Sequence, residues 1–185
     1  MRKNFGVKSW FYPLPVLIIG TYCQDGTPDA MNAAWGGLCN ADKVMLCLGS
    51  GHKTTKNILA RGAFTVGFAD ASHVIAADYV GIVSANREPD KLKKSGFHAT
   101  KSEFVDAPLM DELPVSLECK LVKVNEDGNI IGQIVNVAVD ESVLGQDGSL
   151  DFDKFRPIAF EPSHNGYHVL GERVGSAFSD GAQIE

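Results

Sequence analysis

No stretch of the 185-residue sequence is apolar for long enough to cross a membrane. The longest apolar stretch near the start, residues 16–20, is far shorter than the roughly 20 residues that a membrane helix needs, and Pro13 and Pro15 come directly before it. The N-terminus has no apolar segment ending in a signal-peptidase pattern, and no Asn-x-Ser/Thr sequon occurs. We therefore expect a cytoplasmic protein that does not associate with membranes.

Positive charge is in deficit, with 17 Lys and Arg against 23 Asp and Glu and a formal net charge of −6. This balance argues against nucleic acid as a partner and leaves room only for a local basic pocket. The four cysteines, at 23, 39, 47 and 119, include no C-x-x-C pair, so they predict neither a zinc site nor a disulfide framework. We expect them to be buried, reduced residues.

Two further classes of site have no sequence signal. We find no triad and no paired carboxylates of the kind used in nucleophilic or acid–base catalysis. His164 and His168 are four residues apart, but Asn165-Gly166 between them favours a turn over a helical metal-binding face. The sequence thus predicts no catalytic side chain and no metal ion.

What is present is an average globular composition, with 44% hydrophobic and 22% charged residues. A chain of this length can bury roughly 70% of its unfolded surface in one core. We find no low-complexity segment, no repeat of 20 to 50 residues and no Ser/Gly/Pro linker. The sequence therefore predicts a single domain over residues 1–185.

Apolar and β-branched runs predict strands along the whole chain, while helix-capping patterns predict a few short helices. The predicted strands are residues 16–23, 44–48, 64–68, 115–124, 130–139, 155–160 and 167–170, and the predicted helices are residues 53–62, 72–79 (ended by Gly81) and 90–96. Strand 115–124 alternates, which indicates a half-exposed strand, whereas the almost wholly apolar 130–139 indicates a central one. An antiparallel β-barrel with short helices fits this order, because closure removes exposed strand edges.

The segment Gly49-Ser50-Gly51-His52-Lys53-Thr54-Thr55 is the first candidate site. It lacks the spacing of a phosphate-binding P-loop, and Thr54 occupies the place of the third glycine of a dinucleotide motif. A strand followed by glycines and a helix start with lysine and two hydroxyls nevertheless suits a phosphate monoester, through backbone N–H groups and the helix dipole. The alternative is that Thr54 caps the helix and Lys53 is solvated.

Two other segments carry candidate residues. Asn32-Ala33-Ala34-Trp35-Gly36-Gly37 offers small residues that let a flat ring approach the backbone, and an asparagine that can bind a heterocycle edge. The alternative is a buried tryptophan beside turn glycines. Residues 81–86, followed by Asp90-Lys91, form a polar loop before a charged helix start and are the third candidate segment. The alternative interpretation is that they form an ordinary surface loop.

Taken together and in order, these segments resemble the flavin reductase-like, FMN-binding split-barrel proteins, and in particular the flavoredoxin-type branch. The resemblance covers essentially the whole chain. The motifs that carry it are, in chain order, Pro15-Val16, Asp25-Gly26-Thr27-Pro28, Met31-Asn32-Ala33-Ala34-Trp35-Gly36-Gly37, His52-Lys53-Thr54-Thr55-Lys56-Asn57-Ile58, Gly81-Ile82-Val83-Ser84 with Asp90-Lys91, Val105-Asp106-Ala107-Pro108-Leu109, Leu117-Glu118-Cys119-Lys120, Arg156-Pro157-Ile158-Ala159-Phe160, Tyr167 and Gly175-Ser176-Ala177-Phe178.

The resemblance implies a mainly β, antiparallel split β-barrel and a homodimer with one FMN per subunit near the dimer interface. It also implies a set of cofactor-binding residues, with His52 or Lys53 standing where many relatives carry an arginine. These residues are Asn32, Ala33, Ala34 and Trp35 along the isoalloxazine, Ser50, His52, Lys53, Thr54 and Thr55 at the phosphate, and Ser84, Lys91 and Phe160 near the flavin.

The function that follows is that of a flavoprotein, with FMN accepting a hydride at N5 from NADH or NADPH. Many relatives carry a histidine where this chain has Ala138, which places the same electron donor in question. A second hypothesis is therefore a flavoredoxin-like electron carrier that is reduced by a redox partner protein. A third is a non-redox barrel that has lost its cofactor and serves as an interaction module.

Overall fold

A computed structural model describes residues 1–184, so Glu185, the last residue of the predicted domain, lies outside the described residues. The fold in residues 1–184 is mainly β with short helices, as predicted. The strands are β1 (Leu14–Pro15), β2 (Leu17–Tyr22), β3 (Pro28–Ala33), β4 (Gly36–Asn40), β5 (Lys43–Leu46), β6 (Ala63–Phe68), β7 (Ala99–Lys101), β8 (Pro108–Met110), β9 (Val115–Val124), β10 (Ile130–Val139), β11 (Ile158–Glu161) and β12 (Gly166–Val169). The α-helices are α1 (Lys53–Arg61), α2 (Val74–Ile82), α3 (Lys91–Ser95) and α4 (Phe152–Phe155).

One antiparallel sheet of seven strands forms the body of the molecule, in the order β3-β2-β6-β9-β10-β5-β4. Its two edge strands, β3 and β4, are consecutive in the chain and are joined by residues 34–35. The sheet curls so that its edges approach each other: a Cβ on Gly36 would lie 2.8 Å from the Leu46 side chain and 3.1 Å from that of Leu17 on β2. A glycine at this position therefore lets the half-barrel close to a narrow split.

Apolar side chains cover both faces of this sheet. The barrel interior holds Leu17, Ile19 and Phe64 among other buried residues. The opposite face packs Ile18 and Ala30 against Ala77 and Val80 of α2. Alternate residues of β2 and β3 thus enter different cores, as the two-residue period of a strand requires. Helix α2 lies directly on β3, the strand that carries the first candidate ring-binding residues.

The predicted elements agree with the structure over most of the chain, with four corrections. The strand predicted over residues 155–160 begins only at Ile158, because Phe155 ends α4 and Arg156 has a left-handed conformation there. Helix α2 continues through Gly81 to Ile82, because the glycine packs against β3 there instead of ending the helix. The apolar strand β10 is not covered along its whole length, since Val135 and Val137 are 38% and 50% exposed. Cys39 and Cys47 are exposed rather than buried, because they lie on and beside the open edge strand β4.

A small sheet, β1-β11-β12, joins the two ends of the chain. Leu14 pairs with Phe160 and Ile158 pairs with Val169, so the N-terminal and C-terminal segments leave the body side by side. Residues 1–13 are exposed throughout, and residues 170–184 are exposed at every position except 176. The longest helices have nine residues, and none of the helices in residues 1–184 is long and apolar enough to cross a bilayer.

Candidate functional site

The N-terminus of α1 is an uncapped helix start. Its N-cap is His52, whose side chain makes no capping hydrogen bond, and its first turn contains no acidic residue. The N–H groups of residues 53–55 have no acceptor inside the helix, as at any helix start. Because the helix dipole is positive at this end, these backbone donors favour an anion.

The two threonine hydroxyls of α1 have other roles. Thr54 does not cap the helix, contrary to the alternative considered above, because it lies inside the helix and its Oγ1 donates to Asp29 Oδ2 at 3.1 Å. Thr55 Oγ1 donates to the carbonyl of Gly49 at 2.9 Å. Both side chains are buried. The hydroxyls therefore hold the helix start in place, while its backbone N–H groups and the Lys53 side chain provide the free donors.

Lys53 is the cation at this helix start. In the β2–β3 turn, hydrogen bonds from Thr27 lower the pKa of Asp25, and the charge of Lys53 lowers it further. His52 is exposed beside Lys53, and Ser50 is exposed in the turn that precedes them. His52 and Lys53 are the two candidates for the position at which many relatives carry an arginine. Only Lys53 belongs to the helix itself.

A buried ion pair joins α1, β3 and α3. Lys91 Nζ lies 3.0 Å from Asp29 Oδ1, and both side chains are 3% exposed. Asp29 Oδ1 has no partner with hydrogen-bond geometry, so we treat its contact with Lys91 as ionic. Thr54 binds the other carboxylate oxygen. Asp29 therefore connects Thr54, which is predicted to bind the phosphate, to Lys91, which is predicted to lie near the flavin. The Lys91 ammonium thus stabilises the contact between α1, β3 and α3.

Asn32 lies three residues after Asp29 on β3, and its side chain contacts α2. Its Nδ2 donates to the carbonyl of Ala77 at 3.0 Å. A Cβ on Gly81 would lie only 2.9 Å from the Cβ of Asn32, so the helix approaches the strand closely because residue 81 has no side chain. Asn32 is half-buried, which leaves part of its carboxamide open at the sheet edge.

Tyr167 and Phe160 bring the last two strands to the same place. The Tyr167 hydroxyl donates to Asp78 Oδ1 of α2 at 2.8 Å, and the two ring centroids lie 5.9 Å apart. Burial, followed by the hydrogen bond and charge of Asp78, raises the pKa of Tyr167 to about 12, while Asn32 acts in the opposite direction. The phenol is therefore a stable donor to Asp78 at neutral pH.

The remaining predicted residues lie at the edge of this arrangement. Trp35 is exposed at the junction of β3 and β4, where its carbonyl accepts from Cys47 N at 2.8 Å. The Ala33 side chain is buried in the barrel core, so only its backbone is available to a ligand, whereas Ala34 is half-buried. Ser84 is exposed in the loop after α2, and Asn86 of that loop reaches the carbonyl of Gly51 at 3.5 Å.

The three predicted segments therefore meet along β3. Asp29 and Asn32 stand about 10 Å apart along this edge strand, at roughly 3.3 Å per residue, with α1 and α3 at one end and α2 at the other. Sequence reasoning missed Asp29 and Asp78. The available signal was that each of these carboxylates lies beside apolar residues in the sequence. A carboxylate in such a place is removed from solvent only when it has a partner.

The arrangement suits a ligand with an anionic end and a flat, apolar body. The anionic end matches the uncapped helix start and Lys53, and the body matches the edge of β3 with Asn32 and Trp35. No group in this set is an activated nucleophile, so the chemistry would have to come from the ligand.

Comparison with known proteins agrees with this geometry. The structure superposes on the flavoredoxin of Desulfovibrio vulgaris (Miyazaki F) with a TM-score of 0.94 and 38% identity, covering 98% of this chain and 100% of that chain. It superposes on a flavoredoxin from Methanosarcina acetivorans with a TM-score of 0.87 and 26% identity, covering all of both chains. An uncharacterized protein of Aquifex aeolicus is 25% identical over 79% of each chain.

The family model described as flavin reductase like domain matches residues 9–160, which contain all the predicted cofactor-binding residues. The structural relatives share the split-barrel order of strands across nearly the whole chain. The chain therefore belongs to the flavin reductase like domain family.

Proposed function

We propose that this protein binds FMN along β3 and transfers electrons through it, with NADH or NADPH as the hydride donor. The observation that carries the proposal is the uncapped start of α1, with Lys53 and no acidic residue, on the same strand edge as Asn32. Exposed free cysteines, Cys39 and Cys47, agree with a reducing cytoplasm as its place of action.

Each part of the site has a definite task in this proposal. Lys53 and the backbone N–H groups of residues 53–55 bind the phosphate. Asn32 binds the polar edge of the ring, and Trp35 lies where it can shield the ring from water. Bound FMN supplies hydride acceptance at N5 and onward electron transfer. The protein needs no acid or base side chain for that step, which agrees with the absence of one in the sequence.

Reduction by nicotinamide nucleotides is the direct test of the enzymatic proposal. We expect the purified protein to show a flavin absorption spectrum, and NADH or NADPH to bleach it in anaerobic stopped-flow mixing. A protein that binds FMN but is bleached by neither nucleotide would contradict the reductase function. A colourless protein that also fails to bind added FMN would contradict flavin binding itself.

An electron carrier is the second candidate, and the alanine at 138, where many relatives carry a histidine, favours it. Two solved relatives are flavoredoxins. Reduction by a partner protein but not by NADH or NADPH would establish this alternative.

The proposal includes a homodimer, and the exposed area of the chain supports it. The chain exposes 11538 Å². A compact monomer of 19.9 kDa should expose only about 8,700 Å², so the excess is about 2,800 Å². An obligate dimer removes roughly 1,000 to 2,500 Å² from each partner. The excess surface, which includes the extended termini, is therefore about as large as the surface that a second copy would cover.

An apolar concave surface lies between these termini and Trp35. Three cavities of about 350, 390 and 380 Å³ adjoin one another, since they share Leu14, Pro15 and Leu38. Trp35 lines one of them. One cavity extends to the buried barrel residues Leu17 and Leu46, whereas Trp35 and Leu38 are exposed. Exposed apolar side chains grouped in this way are typical of a protein–protein interface. A second copy bound here would lie beside the proposed ring site.

The C-terminal segment provides a test of the dimer. Arg173 binds the Gly175 carbonyl and Ser176 Oγ, and Asp180 accepts from Ser176 N at 2.7 Å, so the turn is organised although Phe178 is fully exposed. We expect Phe178→Ser to raise the dimer dissociation constant at least about tenfold in sedimentation equilibrium, because a buried aromatic anchor is lost. Leu59→Ser on α1 is the matched control. A wild-type protein that is monomeric at micromolar concentration would contradict the dimer.

A further inference from the structure

The orientation of the Asn32 carboxamide is determined by its neighbours. Its Nδ2 faces the Ala77 carbonyl at 3.0 Å, and a backbone carbonyl can only accept a hydrogen bond. The amide nitrogen must therefore point toward α2. Within residues 1–184, Asn32 Oδ1 takes part in no hydrogen bond, so it is the acceptor that this side chain can offer to a ligand.

Tyr167 and Asp78 reinforce this orientation. The Tyr167 hydroxyl gives its proton to Asp78 Oδ1 at 2.8 Å, so its oxygen remains free to accept. Asn32 lowers the pKa of Tyr167 against the larger effects of burial and Asp78, as an amide N–H directed toward the phenol oxygen would. The Tyr167–Asp78 bond thus holds the part of α2 whose Ala77 carbonyl accepts from Asn32. Gly81 completes the contact, since any side chain there would displace Asn32.

We propose that Asp78 and Tyr167 are positioning residues that hold Asn32 Oδ1 toward the flavin, so that the protein recognises the ring through its N3–H. The oxidised isoalloxazine ring has a single N–H donor, at N3, so the Asn32 oxygen can bind no other polar atom of that ring. The inference rests on the proposed function and adds the atom by which the ring is selected. It also assigns roles to two residues that touch no ligand themselves.

The test compares binding of FMN with binding of FMN methylated at N3, by fluorescence titration of the oxidised protein. We expect the wild type to prefer FMN about tenfold, because the methylated ring leaves the Asn32 oxygen without a partner. In Tyr167→Phe and Asp78→Ala the preference should fall to about twofold, because α2 then holds the Ala77 carbonyl, and with it the carboxamide, less firmly. Asp78→Asn retains an acceptor for Tyr167 and should preserve most of the preference.

The ratio of the two affinities separates positioning from stability, because a merely structural defect weakens both ligands alike. Tyr79→Phe is the control: it removes a phenol oxygen from α2, the helix that also carries Asp78, and should keep the wild-type ratio of the two affinities. Tyr167→Phe keeps the ring volume, so a purely steric preference would persist in it and would overturn the inference. A wild type that binds both flavins equally also overturns it while leaving FMN binding intact. A wild type that binds neither overturns both proposals.

Discussion

Replacing Lys91 by methionine should lower the free energy of unfolding by about 3 to 5 kcal/mol, because it leaves the Asp29 carboxylate buried without a cation. Both side chains are almost completely excluded from solvent, and Thr54 alone cannot compensate the charge. Urea unfolding of the purified protein measures the change. The loss should be large because three separate elements, α1, β3 and α3, meet at this carboxylate.

Two further variants test that explanation of the Lys91 effect. Lys94→Met removes an exposed lysine from the same helix, whose partner Glu88 is also at the surface, and should cost less than about 1 kcal/mol. The double variant Asp29→Asn with Lys91→Met should recover much of the stability, since no charge is then buried and the amide oxygen can still accept from Thr54. Equal losses for Lys91→Met and Lys94→Met would show that the buried pair contributes nothing.

Replacing Lys53 by alanine should weaken FMN binding by about 10- to 100-fold and riboflavin binding by less than about threefold. A charge-assisted hydrogen bond to a phosphate contributes roughly 1.5 to 3 kcal/mol, and riboflavin has no phosphate to lose. Fluorescence titration with the two flavins gives both values. The difference between them isolates the phosphate contact from any effect on the ring site.

Lys56→Ala is the matched control for Lys53. Lys56 is exposed on the same helix, and its N–H already donates to the His52 carbonyl, so it lies beyond the free donors of the first turn. We expect its replacement to change both affinities by less than about threefold. Equal losses of FMN and riboflavin in Lys53→Ala would contradict the assignment of the phosphate to this helix start.

Local signals in the sequence predicted many element limits correctly because they depend on neighbours in the chain. The glycines before Lys53 and the glycine at 62 mark the limits of α1, where Gly62 adopts a left-handed conformation with φ of 68°. The hairpin of β9 and β10 has its predicted limits. The apolar run of β10 correctly predicted a central strand, which lies between β9 and β5. It did not predict the exposure of Val135 and Val137, because that depends on which surfaces remain uncovered after folding.

Residues whose roles depend on distant partners could not be assigned in this way. Asp29 and Lys91 are 62 positions apart, and Asp78 and Tyr167 are 89 positions apart. The hydroxyl of Thr54 was available in the sequence for a phosphate, yet the fold directs it to Asp29. Which polar group remains free for a ligand depends on which others are already paired.

The sequence by itself determined the mainly β class, the helix start with Lys53, and the family to which the motifs of this chain belong. These depend on residue type, spacing and order, which folding does not alter. The tertiary structure alone decided that β3 and β4 form the split, that Asp29 joins α1 to α3, and that the Asn32 amide binds the Ala77 carbonyl. The physical reason is that sheet pairing brings residues of distant segments within hydrogen-bond distance, and each buried polar group then takes the partner that this pairing provides.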